Sequence, residues 1–161
     1  MWGIILTFLA ILMLHYIPKV YPFFLAILSN YINCQFAHYV AGPRKELFSC
    51  MSELKENLQT DNLMILEIGA GSGTNFRFFP SGSSVIALEP NRYFQKYLKK
   101  NVASFSPDVE VVKILTDAAE DMCNVADDSV CAVVSTIVMC SVMNVDTVLR
   151  EVKRVLRPVS F

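Results

Sequence analysis

The sequence is poor in the residues that build metal centres and disulfide frameworks. It holds two histidines, His15 and His38, and neither has a second ligand at metal-binding spacing. We therefore expect no metal site. The cysteines are odd in number and form no CxxC pair, which is typical of reduced thiols rather than of a secreted disulfide scaffold. They are Cys34, Cys50, Cys123, Cys131 and Cys140.

Charge is unevenly placed along the chain. The formal net charge is −1 and no basic patch is present, which argues against a nucleic-acid partner. The first 40 residues contain no acid and one basic residue, Lys19, whereas all fifteen acids follow them. This change, together with Gly42-Pro43, predicts a hydrophobic membrane anchor at residues 1–42 and a globular domain at residues 43–161.

The first part is predicted to form N-terminal hydrophobic membrane helices. Apolar runs cover residues 2–17 and 20–32, and Pro18-Lys19 and Pro22 favour two short helices. At about 1.5 Å per residue the first run is short for a hydrocarbon core of about 30 Å, so a bent, hairpin or interfacial insertion is favoured. A cleaved signal peptide is disfavoured because no positive residue precedes Lys19. A buried core helix remains an alternative for the leader. If the leader is a membrane anchor, the basic residues that follow it predict that the globular part lies in the cytosol.

From residue 43 onward, short apolar runs alternate with segments of helical periodicity. The predicted strands are Leu63–Ile68, Val85–Glu89, Val109–Ile114 and Val130–Ser135. The predicted helices are Pro43–Leu58, Thr74–Phe79, Arg92–Val102 and Asn144–Leu156. This alternation predicts an α/β fold, a Rossmann-like doubly wound parallel sheet of about four strands. Ligands of such sheets bind beyond the carboxyl ends of the strands.

Three of the six glycines fall within five positions, directly after the first predicted strand. The run is Glu67-Ile68-Gly69-Ala70-Gly71-Ser72-Gly73. Glycines at such a turn let the backbone fold tightly and approach a ligand. Glu89 ends the second strand about 20 residues after Gly69, which is the spacing expected of a ribose-binding acid. The sequence therefore predicts a nucleotide-type cofactor at this rim.

The spacing of the glycines favours a cofactor with an amino group over a dinucleotide. In the dinucleotide pattern G-x-G-x-x-G the third glycine comes one residue later than Gly73 does here. Glu67, two residues ahead of Gly69, is suited to an ammonium group. An NAD-linked oxidoreductase is the disfavoured alternative.

The motif Glu67-x-Gly69-x-Gly71-x-Gly73 resembles the signature of class I S-adenosylmethionine-dependent methyltransferases. The resemblance continues through Glu89-Pro90-Asn91, Ala119-Glu120-Asp121, residues 133–136 and residues 149–158. In residues 45–48, 120–122 and 138–142, and in its apolar leader, the chain is similar to the methyltransferase-like protein 7 group. These are membrane-anchored thiol S-methyltransferases of the endoplasmic reticulum and lipid droplets.

The resemblance implies S-adenosylmethionine as the cofactor, a small lipophilic thiol as the acceptor, and a place at the endoplasmic reticulum membrane or lipid-droplet surface. Glu89 would hold the ribose, and Ala119 and Glu120 would line the adenine pocket, although Glu120 is also compatible with a solvated turn. No catalytic residue is assigned, because transfer from an activated sulfonium needs mainly proximity and alignment. The implied cofactor-binding residues are Glu67, Gly69, Ala70, Gly71, Gly73, Glu89, Pro90, Asn91, Ala119, Glu120 and Thr136.

The resemblance also implies a C-terminal truncation. Family members continue from Arg-Pro into a Gly-Gly turn and a fifth strand, whereas this chain continues from Arg157-Pro158 with Val159-Ser160-Phe161. The fourth strand would then be an apolar edge, open to pairing with another chain. The acceptor pocket would be incomplete, so we expect impaired turnover. The alternative function is a non-catalytic, membrane-tethered fragment that binds the cofactor weakly or not at all.

Overall fold

The computed structural model describes residues 2–105 and 109–158. Side chains are described throughout these ranges except at residues 2–16, 18, 34, 36–38, 40, 104 and 105. The expectations for His15, His38 and Cys34 therefore lie outside the described side chains. The helices are α1 (Trp2–Asn57), α2 (Gln95–Phe105) and α3 (Val145–Val155), and the strands are β1 (Leu63–Ile68), β2 (Ser83–Leu88), β3 (Val109–Leu115) and β4 (Ala132–Ser135).

The four strands form one parallel sheet in the order β3-β2-β1-β4. β1 pairs with β2 along its whole length, from Leu63 opposite Ser83 to Ile68 opposite Leu88. Parallel strands need crossover connections, which the intervening segments supply. The predicted α/β fold with a parallel four-stranded sheet is confirmed, and β1 and β2 form its centre.

Apolar side chains cover both faces of the sheet. On one face a cluster contains Phe48 and Met51 of α1, Leu63 and Ile65 of β1, and Leu98 of α2. On the other face a second cluster forms around β1, β2 and α3, with Leu66, Ile68, Leu88, Met122, Val130, Val148 and Val155 buried in it. A sheet buried on both faces explains why its central strands read as continuous apolar runs.

The N-terminal part forms one helix and not the two short helices that were predicted. α1 runs for 56 residues through Pro18, Pro22 and Pro43. A proline removes its own hydrogen bond and kinks a helix, but packing on either side can outweigh that loss. Here Ala26 is buried, and Phe48 and Met51 lie in the core. The helix also continues across Gly42-Pro43, and the division into two domains stays a prediction.

The segment after the glycine loop is shorter than predicted. The expected helix Thr74–Phe79 is a single 3₁₀ turn, Phe76–Phe78. Phe79 has extended backbone (φ −74, ψ 148), which is the conformation that the following Pro80 imposes on its predecessor. Phe76 and Phe79 are buried and pack beside Phe48, so these aromatics belong to the core.

The remaining elements lie close to their predicted positions. A 3₁₀ turn, Arg92–Phe94, precedes α2, and the side chain of Asn91 caps that turn by accepting from the Tyr93 N–H at 3.1 Å. Asn144 likewise caps α3, accepting from the Thr147 N–H at 2.9 Å.

β4 lies at one edge of the sheet. The segment after α3 contacts the residues just before β4, where Val130 bridges to Leu156 and the Arg157 N–H donates to the Val130 carbonyl at 2.9 Å. Among the described residues, no helix combines the length and the apolar character needed to cross a membrane.

Candidate cofactor site

The glycine loop turns at the carboxyl end of β1 and is tied to the end of β2. The N–H groups of Gly69 and Ala70 both donate to the Leu88 carbonyl, at 2.8 and 3.1 Å. Gly69 has φ +66, and a Cβ there would lie 2.2 Å from a methyl carbon of Val138. Gly71 has φ +53, but a Cβ there would meet nothing closer than 3.9 Å. The loop is therefore packed at Gly69 and open at Gly71, where a ligand can approach the backbone.

Glu67 points into the interior at the end of β1 and is 1% exposed. Its Oε1 accepts a hydrogen bond from Asn75 Nδ2 at 2.7 Å, whereas its Oε2 has no partner among the described residues. Burial raises the pKa of Glu67 to about 8, and the Asn75 hydrogen bond and the Arg44 charge oppose that rise. A buried carboxylate oxygen without a partner is costly, and a cationic ligand would relieve that cost.

Asn75 joins the ends of β1 and β4, a role that the sequence reasoning missed. Its Nδ2 donates to Thr136 Oγ1 at 2.9 Å as well as to Glu67. Its own Oδ1 is buried and unpartnered among the described residues, as is the Ser72 hydroxyl. The sequence signal that could have indicated this role is a single amide side chain, Asn75, between the glycine loop and the aromatic residues that follow it. Thr136 is thus linked to Glu67 through Asn75.

Glu89 lies beside the glycine loop at the end of β2. Its Oε2 accepts from the Gly71 N–H at 2.9 Å, and its Oε1 accepts from the Asn91 N–H at 2.9 Å. Burial raises its pKa, and these two backbone hydrogen bonds oppose the rise. Pro90 is exposed, and the Asn91 side chain donates to the Pro22 carbonyl of α1 at 2.8 Å. The structure therefore brings Glu67, Gly71 and Glu89 to one rim.

The Glu120 carboxylate is held by the backbone just before α3. Its Oε1 accepts from the N–H groups of Met143 and Asn144, at 2.5 and 3.3 Å, and these bonds lower its pKa. Ala119 beside it is buried. The proposed contact with adenine stays a prediction for both residues.

An ion-pair cluster on α3 fixes the segment that carries Glu120. Glu151 accepts from the Met122 N–H at 2.9 Å, and Arg154 donates to the Met122 and Val125 carbonyls, each at 2.9 Å. Arg154 also pairs with Asp127 at 2.5 Å and with Glu151 at 2.6 Å. The segment after β3 is therefore held by side chains of α3.

Arg44 brings α1 to the same rim and was not among the predicted site residues. Its Nη1 donates to Thr74 Oγ1 at 3.1 Å, directly after the glycine loop. Burial lowers its pKa, and the nearby charge of Glu67 opposes that shift. The sequence offered no signal for this placement, because it depends on how α1 packs against the sheet.

An open cleft lies elsewhere on the surface, and the residues that line it are different from those of this rim. That cleft lies at the amino ends of β1 and β2, on the opposite edge of the sheet. Its lining residues are Ser52, Lys55, Glu56, Gln59, Thr60, Asp61, Pro80 and Ser81. Since parallel α/β sheets bind ligands at the carboxyl ends of their strands, the glycine-loop rim is the candidate site.

The sequence matches the methyltransferase domain family over residues 66–161, which is more than half of the chain. The chain belongs to the methyltransferase domain family. The matched range begins within β1 and includes the glycine loop, Glu89 and Thr136. This family membership confirms the resemblance that the glycine motif indicated.

Curated relatives of the chain are thiol S-methyltransferases. Human thiol S-methyltransferase TMT1A is 40% identical over 140 residues, covering 87% of this chain and 54% of that protein. Mouse thiol S-methyltransferase TMT1B is 36% identical over 138 residues, covering 86% and 54%. The chain thus spans about half the length of these relatives.

Solved structures of similar fold include further methyltransferases. A possible histamine N-methyltransferase from Thermotoga maritima has a TM-score of 0.56 at 20% identity, covering 82% of this chain and 55% of that one. A putative S-adenosylmethionine-dependent methyltransferase from Methanococcus maripaludis has a TM-score of 0.53 at 16% identity, covering 74% and 55%. At these identities the likeness supports the fold alone.

Proposed function

We propose that this chain binds S-adenosylmethionine at the carboxyl ends of β1 and β2 and serves as the cofactor-binding part of a methyltransferase. The observation that carries the proposal is the buried Oε2 of Glu67, which has no hydrogen-bond partner among the described residues and lies close to a second buried acid, Glu89, on the rim of an open glycine loop. This donor and acceptor set fits a cofactor that has one ammonium and two ribose hydroxyls.

Each residue has a separate role in this proposal. Glu67 accepts from the ammonium, and Glu89, which the Gly71 and Asn91 N–H groups orient, accepts from the ribose hydroxyls. The cofactor supplies a methyl group already activated by a sulfonium. The chain supplies binding and orientation, which is the main contribution that an in-line displacement needs from a protein. Ala119 and Glu120 are proposed for the adenine.

We propose a small lipophilic thiol as the methyl acceptor of the complete protein. The support is the identity of 36–40% with proteins named thiol S-methyltransferases, over most of this chain. An alkyl thiol such as that of free cysteine has a pKa of about 8.5, so for such an acceptor the attacking thiolate is a minor species at neutral pH. No residue of this chain is assigned as its base.

We also propose that α1 associates with a membrane, at the endoplasmic reticulum or a lipid droplet, with the globular part in the cytosol. Support comes from the acid-free leader and from the large apolar side chains that α1 exposes. These include Ile17, Val20, Tyr21, Phe24, Leu28, Tyr31 and Ile32. Flotation of the chain with phosphatidylcholine vesicles tests this, and a double variant, Phe24→Glu with Leu28→Glu, should float less. Equal flotation of the two proteins would contradict it.

Pairing of the β4 edge with another chain is the remaining proposal on partners. β4 lies at the edge of the sheet, and in the described part of the chain the residues after α3 bridge to Val130, which precedes β4. Sedimentation over a range of concentrations tests it, because edge pairing predicts dimers that Ser135→Lys, at an exposed position of β4, would weaken. A single monomeric species at all concentrations would exclude it.

Methyl transfer itself is tested with cofactor that carries a labelled methyl group. The full chain in mild detergent is incubated with thiophenol, and phenol serves as the matched acceptor that differs only in its reacting atom. Label in the thioether but not in the ether would support thiol methylation. Cofactor binding without any transfer would favour the non-catalytic alternative, and a chain that neither binds nor transfers would overturn the proposed function.

A further inference from the structure

Arg44 presents unused hydrogen-bond donors at the glycine loop. A guanidinium carries five N–H donors. Among the described residues the structure gives Arg44 one hydrogen bond, to the hydroxyl of Thr74, the residue that follows Gly73. Arg44 is half-buried, so its free donors are partly shielded from solvent. Such a group is well suited to a planar, bidentate anion such as a carboxylate.

Arg44 and Glu67 sense each other's charge without forming a contact ion pair. Each charge shifts the pKa of the other group, yet no ion pair joins them among the described residues. Within the described part of the chain, Glu67 Oε2 has no hydrogen-bond partner, and neither does the nearby Oδ1 of Asn75. The site therefore holds a guanidinium and, apart from it, a carboxyl group that is negative when it ionises, and each has unused hydrogen-bonding capacity.

This charge pattern is complementary to the zwitterion of an α-amino acid. An α-amino acid carries an ammonium and a carboxylate on one carbon, and S-adenosylmethionine ends in such a group. We propose that Arg44 is a cofactor-binding residue that takes the α-carboxylate, while Glu67 Oε2 and Asn75 Oδ1 take the ammonium. This inference rests on the proposed function, because it requires that cofactor at this rim.

The inference gives α1 a role beyond its hydrophobic segment. Arg44 is supplied by α1, whereas Glu67 and Asn75 come from β1 and the segment after the glycine loop. The cofactor would then bridge the helix and the sheet. Binding of a ligand with the complete amino-acid end should depend on Arg44, and binding of the nucleoside part alone should not.

Three ligands of graded structure test this by calorimetry on the full chain in mild detergent. S-adenosylhomocysteine has both charged groups, its decarboxylated analogue keeps the ammonium, and 5′-methylthioadenosine has neither. Arg44→Gln should weaken S-adenosylhomocysteine by about 10- to 100-fold, the range of a charge-assisted hydrogen-bonded pair. It should leave 5′-methylthioadenosine within about twofold, and it should weaken the decarboxylated analogue less than S-adenosylhomocysteine, through the loss of the Arg44 charge that favours ionised Glu67. Glu67→Gln should weaken both ligands that carry the ammonium and spare the third.

Arg77→Gln is the matched control, because Arg77 is an exposed arginine near enough to influence Arg44 electrostatically. It should bind all three ligands like the wild type. Arg44→Lys keeps the positive charge but not the planar, forked set of guanidinium donors, so it should give an intermediate loss of affinity for S-adenosylhomocysteine.

Two results would overturn the inference while leaving the proposed function intact. One is unchanged binding of S-adenosylhomocysteine by Arg44→Gln. The other is an equal loss for all three ligands in both Arg44 variants, which would mark a structural role. A wild-type chain that binds none of the three ligands would instead overturn the proposed function.

Discussion

Replacing Glu67 by glutamine is expected to stabilise the ligand-free protein at alkaline pH while weakening cofactor binding. Burial raises the pKa of Glu67 to about 8 from an ordinary value of 4.5. Between these two values the unfolded chain ionises its glutamate and the folded chain does not. The folded state therefore loses stability as pH rises from about 4.5 to 8, and the penalty stays constant above that range.

The size of this penalty follows from the shift. Each pKa unit corresponds to about 1.4 kcal/mol, so the full shift costs the folded state about 5 kcal/mol at pH 8 and above. The Asn75 hydrogen bond and the Arg44 charge already oppose the shift, and the Glu89 charge adds to it. Glutamine cannot ionise, so the variant should be more stable by about 2–5 kcal/mol at pH 9 and by less than about 1 kcal/mol at pH 4.5.

Thermal unfolding, followed by circular dichroism from pH 4.5 to 9, measures the effect. The wild-type melting temperature should fall across this range, and that of Glu67→Gln should fall less. Glu110→Gln, at an exposed position on β3, is the matched control and should follow the wild type. A wild-type protein that becomes more stable between pH 5 and 8, or a variant that is destabilised equally at every pH, would refute the reasoning.

The same ionisation governs cofactor affinity. An ammonium ligand requires the carboxylate form, so binding should weaken by up to about tenfold for each pH unit below 8 and level off above it. Calorimetry in buffers of different ionisation enthalpy should detect proton release on binding at pH 7. Affinity that does not vary between pH 6 and 8 would contradict the role given to Glu67.

Three further predictions separate packing from binding. Gly69→Ala should cost about 2–4 kcal/mol of stability, because its Cβ would meet a neighbouring side chain at 2.2 Å. Gly71→Ala, whose Cβ would lie in open space, should cost about 1 kcal/mol. Equal shifts of the melting temperature in the two variants would count against this difference. Glu89→Gln should weaken S-adenosylhomocysteine and 5′-methylthioadenosine alike, by about tenfold, since both contain the ribose; selective loss of one ligand in calorimetry would exclude the ribose role. Arg154→Ala should lower the free energy of unfolding by about 1–3 kcal/mol, because the hydrogen bonds of Arg154 to two backbone carbonyls are lost. Lys153→Ala, at an exposed position, is the neutral control. Denaturation curves of Arg154→Ala and the wild type that coincide would contradict this prediction.

The sheet and its glycine loop were predictable because their signals are local. β1 and β2 are short apolar runs, and the left-handed backbone at Gly69 and Gly71 is a conformation that glycine adopts readily. The spacing from the loop to Glu89 then reflects one crossover between adjacent parallel strands. These features depend on residues that are near each other in the sequence or one element apart.

The predictions that failed, and the site residues that the sequence did not indicate, depend on tertiary packing. Pro18 and Pro22 predict a break of the leader into two helices, but α1 continues through both and packs against the turn that begins at Arg92. Arg44 and Asn75 join the site through neighbours 30 and 61 residues away, which no local pattern indicates. The same holds for the hydrogen bonds of Glu120 to the start of α3.

The central claim is that the glycine loop, Glu67 and Glu89 form an S-adenosylmethionine site. The most direct test is calorimetric titration of the full chain with S-adenosylhomocysteine, with NAD as the competing cofactor. The account predicts saturable binding of S-adenosylhomocysteine that Glu67→Gln weakens, and no binding of NAD. Binding of NAD in its place, or binding of neither ligand by a folded chain, would contradict it.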